Sequence, residues 1–459
     1  MQILREKKSQ GHVIKKDNLL NRLSPAQILV LGFAAVIFIG AFLLTLPISN
    51  QTGSFTPFVD ALFTATSAVC VTGLVVVDTG THWSVFGQVM IMFLIQIGGL
   101  GFMTVATLFA MLLGKRINLR SRILIQEALN NLSIEGVVRL VRYVVIITLA
   151  VESLAALILT IRWSFDMPLE KAFYYGVFHA VSSFNNAGFD LFGEFRSITG
   201  YVDDFTVNLV ISTLIIIGGI GFVVIADLLQ KRSWRSLRLH TKVVLATTAV
   251  LLVSGTLIIF GLEFTNPKTM APLTMKGKLL AAYFQSVTPR TAGFNTLSIP
   301  DLRSATQFLM VILMFIGASP GSTGGGIKTS TFMTLATAVW SSTRGREDVE
   351  VFKRRIPMNI IYRSLTITMV ALVLVITVTM ILSITERAEF LTILFETTSA
   401  FGTVGLSMGI TPSLTFIGRV LIILTMFAGR VGPLTVAFAV AQRQHKESIK
   451  FAQEKIMVG

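Results

Sequence analysis

Apolar runs of two lengths alternate along this chain. The long ones reach the roughly 20 residues needed to cross a bilayer, and the short ones do not. Ile28 to Pro47 is long, Pro57 to Ala68 is short, and Val85 to Leu113 is long again. The order then recurs. Long runs cover about 140–163 and 204–229 around a short one at 168–183. Others cover 242–263 and 306–340 around 277–288, and 358–384 and 415–441 around 388–400. The pattern predicts an all-α membrane protein of eight spans and four re-entrant half-helices. Pro57 suits a helix start, and Trp83 suits a membrane–water interface.

Each half-helix leads into the same kind of segment. The first is Thr66 to Leu74, ending Val71-Thr72-Gly73-Leu74, and the second is Asn185-Asn186-Ala187-Gly188-Phe189. Pro289-Arg290-Thr291-Ala292-Gly293-Phe294 and Phe401-Gly402-Thr403-Val404-Gly405-Leu406 follow. Gly73, Gly188, Gly293 and Gly405 stand 115, 105 and 112 residues apart. A repeat at that period calls for one explanation of all four copies. A second set keeps phase with it: Gly98, Gly218, Gly317 and Gly429 come 25, 30, 24 and 24 residues later. Glycine there lets helices approach closely and lets one bend.

The predicted architecture is four repeats of outer helix, pore half-helix and inner helix, with pseudo-fourfold symmetry around one central pore. A cytoplasmic segment 1–24 precedes repeats 25–114, 115–230, 231–342 and 343–441, and a cytoplasmic tail 442–459 follows.

Composition and charge agree with membrane rather than soluble chemistry. The chain is 53% apolar and only 14% charged, against about 25% charged in soluble domains. Its net charge of +15 does not point to nucleic acid, because Lys and Arg gather in alternate connections. One such cluster is Lys115, Arg116, Arg120 and Arg122, and another is Arg344, Arg346, Lys353, Arg354 and Arg355. The other connections carry Asp78, Asp166, Asp203, Asp204, Asp301 and Glu389. This positive-inside pattern places both termini in the cytoplasm of a multi-pass cell-membrane protein. One cysteine, Cys70, excludes an intrachain disulfide, and no signal peptide is recognisable.

Irregular backbone at membrane depth survives only where protein buries it or where it lines a water-filled path. Glycine allows left-handed conformations that turn successive carbonyls toward an axis. A ring of carbonyls replaces the hydration shell of an alkali cation, and the C-terminal ends of half-helices favour positive charge there. The expected ion site is therefore the backbone carbonyls of Val71, Thr72, Gly73, Asn186, Ala187, Gly188, Thr291, Ala292, Gly293, Thr403, Val404 and Gly405. Such a cage suits potassium better than sodium.

The third inner span contains Gly317-Ala318-Ser319-Pro320-Gly321-Ser322-Thr323-Gly324-Gly325-Gly326-Ile327-Lys328. No continuous helix is expected through it, and this is the one strong break the sequence suggests. Small polar residues at mid-span fit a gate across a narrow path. Ile327 between Gly326 and Lys328 defeats a phosphate-binding loop by one residue. Arg430 lies in phase with this loop in the fourth inner span, where a buried arginine is a functional candidate. Its expected role is to hold the loop by hydrogen bonds or to raise a barrier to cations, with an ion pair to some acid as the alternative. Glu152 and Asp227 are expected to make structural pairs, and Asp60 and Glu396 to anchor the loops from behind. The five histidines have no metal-ligand spacing, and His179 reads as packing. No nucleophile motif or nucleotide-binding domain is recognisable, so neither enzyme nor pump is indicated. A secondary transporter would need inverted repeats, whereas these repeats run in one direction.

From about Leu23 to Ala441 the chain resembles the membrane subunits of the Ktr/Trk/HKT superfamily of potassium transporters, specifically the bacterial Ktr type. The resemblance rests on the four loop motifs quoted above. It implies potassium selectivity, since serine in the first loop accompanies sodium selectivity in some plant members and this chain has Gly73. It also implies an intramembrane gating loop at 317–326, possible sodium modulation, a homodimer with a pore in each protomer, and a cytosolic ring of nucleotide-binding regulatory subunits. No resident cofactor is expected; potassium is the cargo.

Overall fold

The computed structural model describes residues 23–113, 122–124, 126, 137–231, 233–432, 435 and 454. Expectations placed on the basic N-terminal segment, on 114–121 and on the tail 442–459 fall outside these residues, save Glu454. Among the described residues the fold is helical, apart from a two-stranded antiparallel ribbon of Glu350–Val351 with Arg354–Arg355.

Among the described residues four helices are long and apolar enough to cross a membrane: Pro25–Thr45, Val137–Trp163, Leu239–Glu263 and Met358–Thr385. These are the outer helices. Only 28–39% of their most apolar windows is buried. Phe38, Phe42, Leu154, Leu157, Val250, Leu257, Val373 and Ile384 face outward. Apolar surface of that extent suits lipid rather than water. Ser24 starts the first with a capping box to Gln27.

A short helix follows each outer one: Phe58–Val69, Leu169–Phe184, Met275–Val287 and Phe390–Gly402. Pro57 and Pro168 stand at the N-caps of the first two. In the third, the Thr274 hydroxyl accepts from Gly277 N–H at 3.1 Å, a cap of about 1 kcal/mol. The C-terminal halves of all four are buried.

The inner helices begin at Val85–Leu100, Phe205–Ile220, Ser304–Phe315 and Phe416–Val431. Ser84, Asp204 and Thr415 cap three of them. Here the fold departs from the expected single break. The first inner helix turns by 96° at Gly101 into Phe102–Leu112, and the second by 94° at Gly221 into Phe222–Gln230. Gly432 ends the fourth in the same conformation; φ is +81°, +96° and +96° at the three glycines. An L side chain rarely adopts that backbone. Counting each bent pair as one span gives six by length and composition among the described residues, where eight are expected over the whole chain. Ser304–Phe315 and Phe416–Val431 are too short on their own at 12 and 16 residues.

The phased glycines explain how inner and short helices meet. A Cβ at Gly98, Gly218 or Gly429 would lie 2.0–2.1 Å from the carbonyl of Val69, Phe184 or Phe401, the end of the short helix in the same repeat. In the third repeat Gly317 lies instead against the Gly325 carbonyl, inside the broken segment. Asp60 on the first short helix pairs with Arg419 on the fourth inner helix, joining the two ends of the described fold.

Candidate functional site: four loops in a ring

The short helices all deliver their C-terminal ends to one place. A Cβ at Gly73 would sit 2.4 Å from the Ala187 carbonyl; at Gly188, 2.6 Å from Ala292; at Gly293, 2.5 Å from Val404; at Gly405, 2.1 Å from Thr72. The series closes on itself, so the four loops form a continuous ring of backbone. In each loop two residues have positive φ: Val71 and Gly73, Asn186 and Gly188, Thr291 and Gly293, Thr403 and Gly405. A left-handed conformation costs a non-glycine residue about 1–2 kcal/mol. Repeating it at Val and Thr, which tolerate it poorly, means the surroundings enforce it.

Hydroxyl groups do part of that work. Ser67 and Ser399 accept from Gly73 and Gly405 N–H at 3.0 and 3.1 Å. Ser182 and Thr288 donate to the carbonyls of Phe189 and Phe294. The N–H groups of Thr72, Ala187 and Val404 point back to short-helix carbonyls at 2.7–2.8 Å, and that of Ala292 to the C-cap carbonyl of Thr288 at 3.0 Å. Among the described residues, none of the carbonyls of 71–73, 186–188, 291–293 and 403–405 accepts a protein hydrogen bond. Buried carbonyls almost always have partners, so a ring of them is an electronegative site. No carboxylate lies in these loops.

The other polar side chains singled out from the sequence find their partners outside the ring. Glu396 accepts from Ser407 at 2.8 Å and from Thr411. His179, at the matching place in the second short helix, packs edge-on to Trp163 and accepts from Leu191 N–H at 3.4 Å. Asp60 is committed to Arg419. Asp227 pairs with Lys231 at 3.4 Å and Arg238 at 3.8 Å. Glu152 departs from the expected ion pair: its partners are the amides of Asn185 at 3.0 Å and Gln96 at 3.3 Å.

The broken segment between Phe315 and Thr329 crosses one face of the ring. Ser319 and Thr323 N–H donate to the carbonyls of Gly219 and Gly218 at 3.0 and 3.2 Å, and Phe222 N–H donates to Gly321 O at 2.9 Å. Gly325 N–H donates to Thr403 Oγ1 at 3.0 Å. Arg430 donates to the carbonyl of Thr323 and to those of Gly98 and Gly99. Its charge thus meets carbonyls, with no carboxylate in ion-pair range among the described residues. Lys328 donates to Gly324 O at 2.8 Å and Gly325 O at 3.4 Å.

The structure therefore sets the four loops singled out from the sequence side by side, with Thr323, Gly324 and Gly325 of the broken segment against them and Ser319 to Gly321 against the second inner helix. The sequence reading missed two sets. One is the bend glycines, visible as Gly98-x-x-Gly101, Gly218-x-x-Gly221 and Gly429-x-x-Gly432. The other is the hydroxyl six residues before the glycine in three loops, at Ser67, Ser182 and Ser399, and five before it at Thr288.

A lipid-facing helical bundle built around unpaired backbone carbonyls belongs to the class of membrane transport proteins, not enzymes. The chain is a member of the TrkH family of cation transport proteins, whose family model matches residues 9–450. It is 47% identical over 448 residues to Ktr system potassium uptake protein B of Bacillus subtilis, covering 97% of this chain and 100% of that one. Potassium/sodium uptake protein NtpJ of Enterococcus hirae is 41% identical over 452 residues, at 97% and 100% coverage. Among solved structures, the potassium transporter TrkH from Vibrio parahaemolyticus shares the fold, with a TM-score of 0.72 over 93% of this chain and 86% of that one, at 18% identity.

Proposed function

We propose that this chain is the potassium-uptake membrane subunit of a Ktr-type system. The four loops act as a carbonyl filter and the segment 317–326 as a gate held by Arg430. One observation carries the reading: a closed ring of buried carbonyls without protein partners, at the C-terminal ends of four short helices. Carbonyl oxygens can replace the hydration shell of a potassium ion, and the helix ends add favourable potential. Uptake then follows the membrane potential, worth about 2.3 kcal/mol per charge per 100 mV.

The repeat boundaries, eight spans and cytoplasmic termini belong to the same reading, as do a homodimer and a cytosolic nucleotide-binding ring. The basic connections near Arg344 and Arg354 offer a surface for such a ring. The test is flux of rubidium, potassium and sodium through purified protein in liposomes, with and without a candidate cytosolic subunit. Potassium and rubidium should outpace sodium, and deletion of 319–325 should raise resting flux. Equal passage of all three ions, or no effect of the deletion, would overturn the filter or the gate respectively. The same ratio decides how far sodium, named for the Enterococcus relative, passes here.

A further inference from the structure

Three of the four left-handed non-glycine residues of the ring touch the broken segment. Asn186 Oδ1 lies 3.1 Å from Thr323 Oγ1. Thr403 Oγ1 accepts from Gly325 N–H at 3.0 Å. Thr291 Oγ1 lies so near Gly324 that a Cβ there would stand 1.9 Å from it. Val71, the fourth, has no group to offer. The Asn186 amide also donates to the Arg290 carbonyl at 3.2 Å and to Thr291 Oγ1 at 3.4 Å, so one side chain joins the second loop, the third loop and Thr323.

Thr323 is the joint of this network. It is fully buried, its N–H is taken by Gly218 O, its carbonyl by Arg430, and its hydroxyl by Asn186 and Phe184 O. Moving the segment aside must break these bonds together. Asn186 then loses the group that orients its amide, and the third loop loses a fixed donor. Thr403 loses the N–H that helps keep a β-branched residue left-handed.

We infer that Thr323 and Thr403 determine ion preference, Thr323 through Asn186: the segment that closes the path also holds the second, third and fourth loops in their selective shape. The inference rests on the filter-and-gate reading above and goes beyond it by making the two parts one device. The ring discriminates best with the segment in place and less well when it is displaced.

The test is the ratio of rubidium to sodium affinity of the purified protein with the segment in place, read from the rise in melting temperature that each ion gives. Thr323→Val keeps the shape and removes the hydroxyl. It should lower the ratio about fivefold, the factor one net hydrogen bond carries, while Thr323→Ser keeps the wild-type ratio. Asn186→Ala should lower it too, and the double variant should be no worse than the single one. If Thr323→Val does not fold, Thr403→Val against Thr403→Ser asks the same question through Gly325. An unchanged affinity ratio in Thr323→Val, whatever its flux, overturns the inference and leaves the gate intact. Unchanged flux on deleting 319–325 is the separate result that removes the gate itself.

Discussion

Two glycines four residues apart separate the effect of backbone strain from the effect of crowding the ring. Gly405 has φ +92° and Gly409 φ +94°. A Cβ on Gly409 would meet nothing within 4 Å, whereas one on Gly405 would lie 2.1 Å from Thr72 O and 3.0 Å from Gly73 Cα. Both alanine variants carry the dihedral cost of about 1–2 kcal/mol. Only Gly405→Ala must also push the Thr72 carbonyl back by about 1.3 Å, from 2.1 Å to the 3.4 Å of ordinary contact. Overpacking of that kind costs roughly 1–3 kcal/mol, which leaves about 5- to 150-fold fewer intact rings. In a cell strain lacking its own potassium uptake, Gly409→Ala should support growth and rubidium uptake as the wild type does. Gly405→Ala should lose uptake by that factor, with a lower potassium-to-sodium ratio. Equal uptake by the two variants would show that the Thr72 carbonyl does not meet the ion.

Arg430→Gln removes two charged donors from the segment and the first inner helix, each worth about 1.5–3 kcal/mol. Resting flux in liposomes should rise about tenfold or more, and a fall would refute the holding role. Gly221→Ala should lower the melting temperature in detergent more than Gly101→Ala, because its Cβ would strike Pro320 O at 2.6 Å while Gly101 has open space. Equal melting temperatures would mean that this contact is not maintained. His82 ends the four-residue helix Thr79–His82, between the first short helix and the first inner helix, and bonds Thr56 Oγ1 at 3.1 Å. Burial holds its pKa below the ordinary 6.5, partly offset by Asp60. A depressed histidine contributes stability above the unfolded value that is lost as pH falls through the folded one. Melting temperature should therefore drop below about pH 6.5, and His82→Gln should flatten that drop; identical profiles would exclude His82 as the source.

A feature could be read in advance where its recurrence coincided with a break in the hydrophobic pattern. The loops announced themselves because the small–glycine–large pattern returns in every repeat, and 317–328 because its Gly and Pro density admits no helix. The right-angle turns at Gly101 and Gly221 were hidden for a physical reason. Apolar residues continue on both sides of each bend, so the hydrophobic pattern does not change where the direction does, and a glycine among them reads as a packing contact. Glu152 was hidden otherwise: a carboxylate in a span suggests a cation, and only the folded chain puts the Asn185 and Gln96 amides there instead.

The closed ring is drawn from one polypeptide, so its quadrants need not be alike. A channel assembled from identical subunits must change all its walls at once when one codon changes. Here Val71, Asn186, Thr291 and Thr403 occupy corresponding places with different chemistry. Selection can therefore adjust one wall of the ring and leave the other three untouched.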